Sequence, residues 1–170
     1  MDDPFEVIGL SRAFAIQVGD VVCAQVRALA KCHPDRHPEG IAREAAVAQS
    51  ARINEAAAAL INPLRRAEVL IQLGDPTGVS VSLSREELAA LLEWREAMEC
   101  MGGAATEENI KQVERLQIES DGAFMRLAEA FAAPVVDWSS ARRALAYARA
   151  VARIVDEVTK HSRRQAGGIA

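Results

Sequence analysis

The chain has 170 residues, half of them apolar, a formal charge of −4 and three cysteines, which is enough for one ordinary domain or two small ones around a real core. An acidic chain with a sequence pI near 5.5 lacks the clustered Lys and Arg with which a nucleic-acid binder neutralises phosphate. No apolar run approaches the roughly 20 residues that cross a bilayer, so neither nucleic acid nor membrane is an expected partner. MDDPFEVIGL, at the start, has neither the apolar core of a signal peptide nor the Arg-rich, acid-poor character of a transit peptide. Cys23, Cys32 and Cys100 lack framework spacing and read as reduced thiols, so a cytoplasmic location is expected.

Taken in chain order, a short helix is expected over PFEVIGL, offering Phe5, Ile8 and Leu10 to a core. Val18, Val21, Val22, Val26 and Leu29 recur at helical spacing and predict one apolar face on a helix running to about Cys32. Pro34 stops it, because the residue before a proline is driven out of the α region. Helical pattern resumes near Glu39 and carries Ile41, Ala45, Ala46, Gln49, Ile53, Ala57 and Leu60, in a segment rich in alanine, the strongest helix former. Two such helices across a short polar loop predict an antiparallel hairpin. Pro63 then opens a further helix through LRRAEVLIQLG.

Gly74, Pro76 and Gly78 within GDPTGVSVSL break the helical period and mark a domain boundary. Beyond it, Ser84 and Glu87 form a capping box that opens a helix with Leu88, Leu91, Leu92 and Met98, ending at Gly102 and Gly103. A second helix from about Glu107 carries Ile110, Val113, Leu116, Phe124, Leu127 and Phe131 and stops before Pro134. Asp137 is the expected N-cap of a third, which runs to about Lys160 with Leu145, Ala148, Val151, Ile154, Val155 and Val158. HSRRQAGGIA carries no pattern and is expected to fray. The expected fold class is therefore all-α, with a hairpin domain over 1–74, a linker at 75–83, a three-helix bundle at 84–163 and a flexible tail at 164–170.

The loop KCHPDRHPEG is the chemically distinctive stretch. As an enzyme site it lacks a base with an orienting partner, and the chain has neither a Gly-rich phosphate loop nor a G-x-S-x-G turn. A metal site would draw on Cys23, Cys32, His33 and His37, but adjacent Cys and His side chains diverge and no C-x-x-C pair supplies chelating geometry. Presentation to a protein suits the residues better. Pro34 stiffens the backbone, so His33 and Asp35 lose little entropy on capture. Arg27 and Lys31, at i and i+4, lead positive charge toward the same loop and Arg36 follows it, which implies an acidic partner surface; an ordinary solvated helix face is the competing reading.

An HPD tripeptide between two antiparallel helices resembles the hallmark of J-domains, the co-chaperone modules that stimulate ATP hydrolysis by DnaK-type chaperones. FEVIGL, HPDR and ARINEAAAALINPLRRAEVLIQLG together resemble the J-domain of the HscB family, co-chaperones of iron–sulfur cluster assembly, and LLEWREAM in a following three-helix domain extends the likeness over nearly the whole chain. The run of Asn54, Ala56, Leu60, Pro63, Leu64, Arg66, Ala67, Glu68 and Leu70 carries it most specifically. The start at MDDPFEV, without a cysteine-rich zinc extension, resembles the bacterial form.

The resemblance implies that His33, Pro34 and Asp35, helped by Arg27, Lys31 and Arg36, dock on an HscA-like chaperone. It also implies that the second domain holds an IscU-like scaffold protein. Carried over by position, the scaffold contacts fall on Leu88, Leu92, Glu93 and Glu96 of the first helix of that domain and on Ala150 of the last. Leu88, Leu92 and Glu96 lie at i, i+4 and i+8 on one helix face, although the leucines also fit a bundle core. Ala89 stands where the family often has Met, and Ala150 where it has an aromatic, so the scaffold surface is expected to be smaller or shifted toward Tyr147. Cys32 replaces an aromatic that often precedes HPD, and few Lys and Arg on the preceding helix imply weaker steering. No cofactor and no catalysis by the chain itself are expected. The rival readings are a general J-domain co-chaperone for another client and a metal-responsive Cys/His protein.

Overall fold

The computed structural model describes residues 2–32, 39–75, 77–100 and 106–166, with their side chains except at 100 and 161–166. Among these residues there are seven helices and no strand: α1 (Pro4–Ile8), α2 (Val18–Lys31), α3 (Ile41–Ile61), α4 (Pro63–Gly74), α5 (Arg85–Cys100), α6 (Glu107–Ala132) and α7 (Trp138–Ala166). The chain divides into two compact units, Met1–Gly78 and Val79–Ala170.

In the first unit α3 is the central helix, packed against α1, α2 and α4. Phe5, Ile8, Val21, Ala24, Ala46, Ile53, Ala56, Ala57, Leu60, Ala67, Leu70 and Ile71 are buried there. Alanines along α3 let its neighbours approach closely, while Phe5, Ile53 and Leu60 supply the volume. Short α1 is held at both ends. The Asp3 carboxylate accepts from the Phe5 N–H at 2.9 Å and from Arg12 Nε at 2.6 Å. Gly9 closes the helix at φ 72°, where a side chain would be strained.

Several features depart from the sequence reading. Val18, Val22 and Val26 are not core: they are 50%, 42% and 60% exposed, and the buried residues of α2 are Val21 and Ala24. Only one row of a helix can face α3, and the row through 21, 24 and 28 does so, with the richer valine row turned to the side. Ile41 and Ala45, at the start of α3, are likewise exposed. That helix begins at Ile41 rather than near Glu39, since Gly40 adopts φ 106°, ψ −155°, a conformation open to glycine and not to the helix. At the other end of the chain, α7 continues past Lys160 to Ala166; Arg, Gln and Ala are good helix formers and nothing before Gly167 breaks the helix.

The second unit is built on α7, against which both α5 and α6 pack. Leu116, Ala123, Leu127, Ala141, Leu145, Tyr147, Ala148 and Val151 form its core. Caps fix its helix starts: Ser84 Oγ accepts from the Glu87 N–H at 3.1 Å while Glu87 Oε2 accepts from the Ser84 N–H at 2.7 Å. Asp137 accepts from the Ser139 N–H and the Ser140 hydroxyl. Ile110 and Val113 of the expected α6 stripe are exposed, the buried row starting at Leu116.

Candidate functional site

Two surfaces carry the candidate residues. The first is the end of α2. The thiol of half-buried Cys32 lies 3.7 Å from Ser50 Oγ, and one to two turns back Gln25 Nε2 donates to Asn54 Oδ1 at 2.8 Å. As α2 is followed backwards α3 advances, so the two helices are antiparallel. Arg27 and Lys31 are exposed on one flank of α2. The Arg27 Nε–H donates to the Cys23 carbonyl at 3.3 Å, and Lys31 in the last turn complements the helix dipole. His33, Pro34, Asp35 and Arg36 lie outside the described residues, as does His37. Among the described residues no three His, Cys, Asp or Glu side chains gather to hold a metal; Cys23 is exposed, and the Cys32 thiol donates to the Ala28 carbonyl at 3.6 Å.

Arg66 fixes the path by which the chain enters α2, and sequence reasoning named it only as part of a likeness. Its buried guanidinium donates to the carbonyls of Leu60 (2.7 Å), Phe14 (2.7 Å), Ile16 (3.2 Å) and Ile61 (3.4 Å) and sits 5.8 Å over the Phe14 ring. One side chain thus ties the segment before α2 to the corner between α3 and α4. Burial lowers its pKa, though the group stays charged at neutral pH. The available signal was position: Arg66 precedes buried Leu70 by one turn, on the row that faces the core.

The second surface is the outer face of α5. Ala90, Leu91, Trp94, Ala97 and Met98 are half-buried on the inner side. Leu88 and Leu92, 49% and 61% exposed, lie outside with exposed Glu93 and Glu96. The bundle-core reading of the two leucines is therefore overturned: a helix has one inner row, and Leu91 and Trp94 occupy it. Glu86, at the helix start, is held below the usual carboxylate range by backbone N–H donation first and the Ser84 hydroxyl second.

Tyr147 and Ala150 were expected to extend this surface along α7. Ala150 is half-buried. Tyr147 is only 5% exposed, and its hydroxyl donates to Glu119 Oε1 at 2.9 Å. Arg126 Nη2 donates to the same oxygen at 2.7 Å, and its guanidinium lies 5.0 Å over the ring. Burial, then the bond to Glu119, pushes the phenol up to about 12. The ring belongs to the core, because its hydroxyl finds a partner there, and it offers no aromatic surface.

No family model matches the chain. It is 33% identical over 102 residues to a co-chaperone protein HscB homolog of Chromobacterium violaceum, a match spanning 57% of this chain and 58% of that protein. The homolog of Aeromonas salmonicida is 34% identical over 122 residues, covering 69% of this chain and 71% of the relative. Among solved structures, chaperone HscB from Vibrio cholerae superposes with a TM-score of 0.79 at 24% identity, covering 96% of this chain and 99% of the other. Human co-chaperone protein HscB gives 0.78 at 18%, covering 94% and 81%.

A helical hairpin whose connecting sequence contains HPD, followed by a separate unit of three helices, defines a J-domain co-chaperone with a C-terminal helical domain. The chain belongs to the HscB co-chaperone family. Among the described residues no helix is long and apolar enough to cross a membrane.

Proposed function

We propose that this chain is a cytoplasmic co-chaperone of iron–sulfur cluster assembly that holds an IscU-like scaffold protein, brings it to an HscA-like chaperone of DnaK type and stimulates that chaperone's ATPase. On this reading residues 1–74 act as the J-domain, 75–83 as linker and 84–163 as the scaffold-binding domain. The chain performs no covalent chemistry itself. His33, Pro34 and Asp35 dock on the chaperone with Arg27, Lys31 and Arg36 as electrostatic help; the row Leu88, Leu92 and Glu96, with Glu93 and with Ala150 of the last helix, receives the scaffold. Tyr147 supports α7 from within rather than touching the scaffold.

The observation that carries the reading is the antiparallel pairing of α2 with α3 in a member of the HscB family, with the HPD sequence at the join. Stimulation works by population: docking must favour the chaperone conformation that hydrolyses ATP, and can do so only through unequal affinity for the two states. Steady-state ATP hydrolysis by a purified HscA-like chaperone with scaffold present tests it. The wild-type chain is expected to raise the rate, and Asp35→Asn to leave it at baseline with unchanged circular dichroism. Equal rates with both proteins would sink the J-domain role. A rise that ignores the scaffold would favour a general J-protein serving another client.

A further inference from the structure

Two polar links run between α2 and α3. Gln25 Nε2 donates to Asn54 Oδ1 at 2.8 Å, and at the residue where α2 has just ended the Cys32 thiol lies 3.7 Å from Ser50 Oγ. The hydroxyl of half-buried Ser50 gives its one hydrogen to the Ala46 carbonyl at 2.9 Å, which leaves its lone pairs for the thiol. Cys32 in turn closes α2 twice over: its N–H donates to the Leu29 carbonyl at 3.1 Å, and its S–H reaches the Ala28 and Leu29 carbonyls at 3.6 and 3.8 Å. Carbonyls of a last turn lack a partner in the α-helical ladder. One side chain thus connects the end of α2 both to its own final turn and to the middle of α3.

Cys32 is the last residue before His33. Its backbone has already left the helical region, at φ −120° and ψ 27°, and those two angles set the direction in which the chain departs for His33–Pro34–Asp35. Apolar packing by itself holds such a direction loosely. The two helices bury small residues, Ala24 on α2 and Ala46, Ala56 and Ala57 on α3; apolar burial has no preferred direction, whereas a hydrogen bond weakens steeply when misaligned. Gln25 with Asn54 fixes the register near the middle of α2, and Ser50 with Cys32 fixes it at the end from which the tripeptide is presented.

We propose that Ser50 is a positioning residue for chaperone docking: acting through Cys32, it holds the end of α2 so that His33, Pro34 and Asp35 are presented in one orientation. The inference rests on the chaperone reading above and adds to it a residue of α3 that works through another side chain. A held orientation lowers the entropy lost on capture. It therefore lowers the concentration at which the chain acts and leaves unchanged what the docked tripeptide does.

The test uses the full chain and the purified HscA-like chaperone with scaffold present, and reads the half-stimulating concentration and the plateau rate separately. Ser50→Ala is expected to raise the first about threefold, the size of one weak hydrogen bond, with the plateau, the circular dichroism and the melting temperature unchanged. Ser50→Thr restores an oxygen that bonds back to the helix in the same way and is expected to return the wild-type concentration. Cys32→Ala is expected to match Ser50→Ala, and the double variant to be no worse than either alone, because the two side chains form one link. Should Ser50→Ala melt early, Cys32→Ala, at a half-buried helix end, carries the same comparison. A half-stimulating concentration equal to wild type in Ser50→Ala, or losses that add in the double variant, would overturn the inference. So would a lower plateau at an unchanged half-stimulating concentration, because Ser50 would then act after docking. Failure of the underlying reading looks different: wild type would not stimulate at all, or Asp35→Asn would stimulate equally.

Discussion

The two units secure their polar anchors in different ways. In the first, the Arg66 guanidinium ends on backbone carbonyls of Phe14, Ile16, Leu60 and Ile61. In the second, Tyr147 and Arg126 converge on a side chain, Glu119. A tie to backbone fixes the course of a segment with no helical ladder of its own, here the approach to α2. A tie between side chains joins helices that are already formed, here α6 and α7. Cutting the first kind takes a donor from the buried Leu60 carbonyl and from three half-buried ones at once, of which Phe14 keeps the Ile16 N–H; cutting the second affects a single carboxylate oxygen.

The largest expected effect follows from that asymmetry. Arg66→Ala should destabilise the first unit by about 3 kcal/mol, since an orphaned buried carbonyl, here Leu60, costs about 1–3 kcal/mol and the half-buried carbonyls of Ile16 and Ile61 lose a donor as well. Arg66→Lys should recover less than half, because an ammonium cannot reproduce the fork that reaches both Phe14 and Leu60. Urea denaturation followed by circular dichroism measures both. An alanine variant within about 0.5 kcal/mol of wild type would mean that water replaces the guanidinium and that the contrast between the units is empty.

Arg66 also marks where legibility in the sequence ended. Helix starts were readable because their causes are local: the Ser84–Glu87 box, the Asp137 cap and Pro63 all act within a turn. Helix class and the antiparallel hairpin followed from the same short-range signals. What was not readable depends on partners far along the chain. The acceptors of Arg66 include Phe14, 52 residues away. Which row of α2 faces inward is decided by α3, so the valine row could be read as core. The outer placement of Leu88 and Leu92 was open for the same reason, both fates sharing one spacing until packing against α7 selects Leu91 and Trp94. Gly40, by contrast, altered the start of α3 through its own backbone, a signal that glycine before a helix carries only weakly.

The second prediction separates what holds a helix from what a helix offers. Leu92→Ala combined with Glu96→Ala removes exposed groups from the outer row of α5 and leaves its inner row intact. Scaffold affinity is expected to fall about thirtyfold, roughly 2 kcal/mol, in the range of a central interface residue, with the melting temperature of the chain unchanged. Calorimetric titration of the scaffold protein gives the first quantity and thermal denaturation the second. A parallel fall in both would show that these side chains brace the bundle.

The smallest effect at neutral pH is expected for Tyr147→Phe, about 1.5 kcal/mol, the ordinary value of one hydrogen bond to a carboxylate. Its pH dependence is the sharper test. The phenol ionises near 10 in the unfolded chain and is pushed up to about 12 in the folded one, by burial first and by Glu119 second. A raised folded pKa means that the neutral form is favoured by folding, so its contribution is fully present below pH 10 and is lost as pH rises toward 12. The whole loss is about 3 kcal/mol at most. Lysines titrate in the same range, so the quantity to follow is the difference in stability between wild type and Tyr147→Phe. That difference should be constant up to about pH 9 and shrink to zero or reverse by about pH 12. A gap that stays flat would mean the hydroxyl is not held by Glu119 in solution, and the side-chain anchor of the second unit would have to be sought in the packing of Leu127, Leu145 and Val151 alone.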